Sequence, residues 1–306
     1  MSDTIAATVQ PNTTDDVGEA RSLGQDAWRS LRSNKMFWSS MILIGLFVLM
    51  SIWPSLFTKT DPTFGNISNV RATPSGEHWF GTDTQGYDIY ARTIYGARAS
   101  IIVGILASLF TLLLGGFLGV LSGFYGGWID ALLSRITDIF YAIPLILGGI
   151  LFMASFPNGP NSNYFIVVGK VVLVLSVFGW PTIARLMRSS VLQVKPNEYV
   201  LAARALGASP WRIIRSHILP NALAPAIVVA TINLGVFIVV EATLSFLGIG
   251  LTPPAISWGV AISDALSAIR TYPHVLFFPS LFLSLAVLAF ILLGDAVRDA
   301  FDPKSR

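Results

Sequence analysis

Residues 36–58 contain no charged side chain, and similar apolar runs recur along the chain. A run of about 20 such residues can cross a hydrocarbon core about 30 Å thick as a helix. In lipid every backbone group must be satisfied within the segment, so these runs are read as helices. The spacing places six spans at roughly 37–57, 99–122, 138–156, 164–184, 221–248 and 275–294. Pro157-Asn158-Gly159-Pro160-Asn161 separates the third from the fourth, and Gly248 to Pro254 ends the fifth. A re-entrant or surface helix is expected at 257–270. Charged residues are only 12% of the chain and apolar residues 53%, about half the charge of an ordinary soluble domain. The expected fold class is all-α, a polytopic membrane protein of six transmembrane helices.

The positive charge is unevenly placed. With the N-terminus inside, the inner segments hold Arg21, Arg29, Arg32, Lys35, Arg135, Arg185, Arg188, Lys195, Arg204, Arg212, Arg215, Arg298, Lys304 and Arg306. The outer segments hold Lys59, Arg71, Arg92, Arg98 and Arg270, and Lys170 lies inside a span, where its amine can snorkel outwards. Both termini are therefore expected on the cytoplasmic side. With a net charge of +3, this asymmetry is a topology signal, and nucleic acid is not an expected partner. The first 35 residues lack the apolar core of a secretory signal and are expected to form a largely disordered tail.

The inner loop at 196–221 is more than a basic connector. Tyr199, Ala202, Ala203 and Leu206 follow helical spacing and make a small apolar face. Asn197 is placed to cap this helix, Gly207 to end it, and Ser209-Pro210 to begin the next. Alanines facing out of a loop between spans suggest a partner surface, because small side chains let another backbone come close.

This pattern resembles the signature loop of ABC-importer permeases, which reads Ala-Ala, three residues, Gly, then Leu-Pro. Here those positions are Ala202, Ala203, Gly207, Leu219 and Pro220. Leu201 and His217 stand where the family usually has an acidic residue and an isoleucine, positions at which the peptide-transporter branch is loose. Other segments are similar to dipeptide and oligopeptide permeases in order: Trp79-Phe80-Gly81-Thr82-Asp83, Gly123 to Asp130, Glu241 to Gly250, and Gly294-Asp295 with Arg298-Asp299-Ala300. The resemblance runs from about 30 to 306 and is to the C-type permease subunit of a dipeptide or oligopeptide importer. It implies a tail at 1–35, a first span and extracytoplasmic segment at 36–96, a permease domain at 97–297 and a tail at 298–306. It also implies a bacterial inner-membrane location, a homologous B-type permease, two ATPase subunits or domains, an extracytoplasmic binding protein and a peptide cargo.

In that family the loop docks into the ATPase. The implied coupling residues are Glu198, Tyr199, Ala202, Ala203, Arg204, Gly207, Ala208, Arg212, Leu219 and Pro220. ATP and Mg would sit in the partners, since the chain carries no Gly-x4-Gly-Lys-Ser/Thr segment. Nickel chelates, glutathione and glycosides use close relatives and remain alternative cargoes.

Three further features stand out in the residues themselves. Gly115, Gly119 and Gly123 repeat every four positions, the small-xxx-small pattern of close helix packing, within the bundle or against a second permease. Glu241 is a carboxylate within an apolar span and a candidate gate or pathway residue, or one that pairs locally. His78, His217 and His274 have no ligand neighbours, and cysteine is absent, so no metal or cofactor is expected. An ion-coupled secondary transporter would want more membrane carboxylates than Glu241 and a repeated half. An intramembrane enzyme would want a paired nucleophile and base, and no such pair is visible.

Overall fold

The computed structural model describes residues 23–159 and 162–301. Among these residues the long elements are all helices, and the extended pairings are two isolated bridges, Gly65 with Tyr87 and Thr82 with Asp88. An amphipathic α1 (Leu23–Ser33) precedes α2 (Lys35–Ile52). Asn34 separates them and caps α2 by accepting the Met36 amide at 2.8 Å. The expected tail therefore carries a helix over its last third; residues 1–22 lie outside the described residues. The helix escapes a hydropathy reading because only one of its faces is apolar.

Helix α3 (Ile89–Tyr125) is about 55 Å long, well beyond a hydrocarbon core. It begins at Asp88, whose carboxylate accepts the Ala91 amide at 2.7 Å, so a domain boundary at 97 would fall inside it. Next come α4 (Gly127–Tyr141) and α5 (Leu145–Ser155). The expected single span at 138–156 is corrected here: the two helices are bent by 80° at the break before Leu145. Pro144 has no N–H to continue the first helix and disfavours helical geometry in the residue before it. Helix α6 (Tyr164–Val194) also outruns its expected end at 184.

The connector after α6 holds α7 (Glu198–Ala205), α8 (Pro210–Ile213), a π-helical turn (Ile214–Ile218) and α9 (Leu219–Ala222). Then come α10 (Ala224–Phe246), α11 (Trp258–Ala265) and α12 (His274–Phe301). Residues 298–300, expected in a tail, are the last turn of α12; residues 302–306 are not described.

Five helices are long and apolar enough to cross a membrane, and the bent pair makes six if it is one span. Contacts show that the pair does run from end to end. At the elbow end, beside α7, Asp130 of α4 binds Arg188 of α6. At the far end, Asn158 just after α5 donates to Thr252 at 3.0 Å, and Lys170 caps α5 through the Phe156 and Pro157 carbonyls. The centre is α3, α6 and α10, packed through Val103, Ala107, Val171, Leu175, Phe237 and Leu244. Helices α2 and α12 close one side around Phe47 and Phe290.

The short α11 folds back into the far end. Trp258 is fully buried, stacks edge-on against Phe47 and donates its indole N–H to the Thr93 carbonyl at 2.9 Å. Nearby, Arg92 reaches Asp83 at 3.0 Å and Asp264 at 3.8 Å. Burial pushes the Asp264 carboxyl above its usual range, against the opposing pull of Arg92.

Candidate functional site

The elbow between α6 and α10 is fastened on its inner side. Val200, Ile213, Ile214 and Ile218 sink into a cluster with Val120 and Phe124 of α3, Ile183, Met187 and Val191 of α6, and Ala226 of α10. Lys195 adds a bond to the Phe124 carbonyl at 2.6 Å. The elbow is thereby fastened to three spanning helices at once.

The outer side of α7 is bare. Val200 alone is fully buried, Ala203 is half-buried, and Glu198, Tyr199, Leu201, Ala202, Arg204 and Leu206 are exposed. Gly207 takes a left-handed φ of +77°. Its N–H donates to the Arg204 carbonyl and that of Ala208 to the Ala203 carbonyl, both at 3.0 Å. This is the Schellman closure, in which a Cβ at the left-handed position is strained. Ser209 then caps α8 by accepting the Arg212 amide at 3.4 Å, with Pro210 in the first turn. Asn197 does not cap α7 with its side chain, which binds the Tyr199 hydroxyl instead. Arg212 and Pro220 are exposed, and Ala208 and Leu219 are half-buried.

Residue spacing picks out Leu206, which is 88% exposed, but passes over Trp211, which is 68% exposed. Trp211 was legible as a large apolar group inside a basic loop, the kind of residue that anchors interfaces.

Gly115, Gly119 and Gly123 all face α6. A Cβ at these sites would come within 2.6 Å of the Trp180 carbonyl, 2.5 Å of the Ala184 carbonyl and 2.9 Å of the Val191 side chain. The stripe is thus spent on packing within this chain. At its end, Arg188 forms a fork with Asp130 at 2.6 and 2.7 Å, and Ser122 also binds that carboxylate. Charge-assisted bidentate pairs of this kind fix geometry strongly.

Glu241 is fully buried. Ser100 of α3 donates to it at 2.9 Å and Ser245 at 2.8 Å. Ser245 also accepts the Leu251 amide at 2.9 Å. The carboxylate therefore pairs locally, tying α10 to α3 and to the far-end loop, and does not line a surface. Ser100 was not legible as a partner because it lies 141 positions away in the chain. Among the described residues no cluster of three metal-ligating side chains forms.

Residues 115–306 match the family of binding-protein-dependent transport system inner membrane components. The chain belongs to this family. Residues 22–74 of the permease also match the N-terminal transmembrane domain of oligopeptide transport permease C. It is 41% identical over 285 residues to the oligopeptide transport system permease protein OppC of Bacillus subtilis, covering 93% of this chain and 91% of that one. It is 42% identical over 284 residues to the dipeptide permease DppC of the same organism, covering 92% and 86%. The glutathione permease GsiD of Pectobacterium atrosepticum is 37% identical over 282 residues, covering 90% and 91%. Among solved structures, the inward-facing MetNI methionine ABC transporter shares the fold, with a TM-score of 0.54 and 23% identity over 68% of this chain and 96% of that one. The permease is a multi-pass inner-membrane component.

Proposed function

We propose that this permease is the C-type subunit of an ATP-driven importer of di- and oligopeptides. The observation that carries the mechanism is the elbow, bare on its outer side and anchored through Val200 into a cluster shared by α3, α6 and α10. Closure of an ATPase dimer against α7 would tilt these helices together and switch the bundle between two packed states. The chain would perform no hydrolysis itself; ATP and Mg would be held by two partner ATPase subunits or domains. A homologous B-type permease would supply the other half of the route, and an extracytoplasmic binding protein would deliver the cargo to the far end. The basic residues at the elbow end support a cytoplasmic position for the elbow and both termini. Peptide cargo is supported by the printed names of the oligopeptide and dipeptide relatives. The glutathione relative supports a second reading of close chemistry, since glutathione is itself a tripeptide.

Retention of the ATPase by variants of Gly207 tests this reading. The space beside Gly207 is open, so the cost of a side chain there is conformational alone. A β-branched residue at this φ costs roughly 1–2 kcal/mol or more and should distort the end of α7. Pull-down of the complex should recover less ATPase with Gly207→Val than with Gly207→Ala, and most with the native glycine. Equal recovery from all three would contradict a docking role for this turn.

A further inference from the structure

The two halves of α6 expose opposite faces of different chemistry. Towards the far end it shows Phe165, Ile166 and Leu173, beside a largely apolar groove of about 640 Å³ between α3 and α6. Towards the elbow it shows Thr182, Arg185, Ser189 and Gln193, spaced as one mainly polar stripe that also carries Leu192 at its elbow end. Nine residues at about 100° each put Leu173 and Thr182 on opposite sides of the helix.

The polar stripe borders two cavities. One, of about 250 Å³, opens at the α4–α5 break and is lined by Tyr141, Pro144, Phe178, Thr182 and Asn233 of α10. The other, of about 370 Å³, reaches Thr137, Asp138 and Arg185. Arg185 joins them: its guanidinium lies 4.0 Å from the centre of the Tyr141 ring and 2.7 Å from the Asp138 carboxylate. That pair is about half exposed, at 44% and 50%. Lipid does not solvate an exposed guanidinium–carboxylate pair, so this face looks into water or a polar passage. A broken helix meeting polar side chains is also how membrane proteins place irregular backbone beside a passage.

We propose that the elbow-half face of α6, with Asn233 of α10, is this chain's wall of the solute route, and, resting on the peptide-import reading, that Arg185 and Asp138 meet the charged ends of the peptide. The Arg185 fork suits a terminal carboxylate, and Asp138 suits a terminal ammonium. Each end of a zwitterionic cargo thus finds its partner by parting the Arg185–Asp138 contact, while Arg135 stays 3.9 Å from the other Asp138 oxygen.

The chain has no cysteine, so single thiols report without background. Thr182→Cys, Asn233→Cys and the control Leu173→Cys would be placed in the assembled transporter in vesicles open to reagent on the elbow side. A charged, water-soluble methanethiosulfonate should label the first two at least about tenfold faster than the control, because only a hydrated thiol ionises and reacts. Equal rates at all three positions, or no labelling at Thr182→Cys and Asn233→Cys, would overturn the wall. A free-acid dipeptide should slow labelling of Thr182→Cys more than its N-acetylated, C-amidated form. Equal protection by both forms would overturn the role of the charged pair. Fast labelling that neither form slows, in a complex importing a different solute, would uphold the wall and overturn the peptide reading.

Discussion

Replacing Ala203 with aspartate is expected to abolish uptake while leaving the permease inserted and assembled with its fellow permease. Ala203 is half-buried on α7, and its carbonyl already closes the helix end through Ala208. A partner docked on α7 would cover the new carboxylate without offering it a counter-charge. An unpaired buried charge costs about 3–5 kcal/mol, roughly a hundredfold to a few thousandfold in affinity. The substitution touches none of the anchoring side chains, so the bundle should stay intact. Ala203→Ser, similar in size and neutral, should keep most activity. ATP-dependent uptake, read beside the amount of permease in the membrane, decides the matter: normal uptake by a well-expressed Ala203→Asp variant would contradict docking at this face.

The second large effect is expected at Glu241. Truncation to alanine removes the shared acceptor of Ser100 and Ser245 and opens a void between α3, α10 and the far-end loop. Leaving buried hydroxyls without a partner costs roughly 1–3 kcal/mol, and the void adds a term of similar size. Glu241→Ala should therefore lower both the thermal stability of the detergent-solubilised complex and its uptake. Glu241→Gln keeps the shape and one accepting oxygen, and should retain substantial transport. If the glutamine variant is as inactive as the alanine variant while equally stable to wild type, the negative charge itself is needed and the hydrogen-bond explanation is wrong.

Much of this architecture is visible in residue pattern because lipid imposes a simple rule: apolar runs of sufficient length become helices. Spans centred on 99–122, 221–248 and 275–294 match α3, α10 and α12 in place. The elbow is legible for a different reason. Gly207 and Ser209-Pro210 are local backbone signals, and each does locally what its chemistry requires.

What could not be read depends on direction or on distance along the chain. The run 138–156 stays mainly apolar across Pro144, and hydropathy does not register an 80° bend. The start of α3 at Ile89 is hidden by Arg92 and Arg98, which look like loop residues. In the fold Arg92 pairs with Asp83, and Arg98 donates to the Ser51 carbonyl at the end of α2. Ser245 lies one turn from Glu241 on the same helix, but the role of Ser100 appears only once α3 and α10 are antiparallel neighbours. The polar stripe on α6 is likewise diluted in sequence, since its members sit three and four residues apart among buried Ile183, Met187 and Val191.

The energy source is the central claim, and it can be read in one vessel. Sealed membrane vesicles bearing the permease and its partners would hold ATP inside, with binding protein and labelled peptide outside and a protonophore present throughout. Uptake should depend on internal ATP and continue undiminished with the proton gradient collapsed. Uptake that stops on adding the protonophore, at constant internal ATP, would contradict an ATP-driven permease and point to ion-coupled transport.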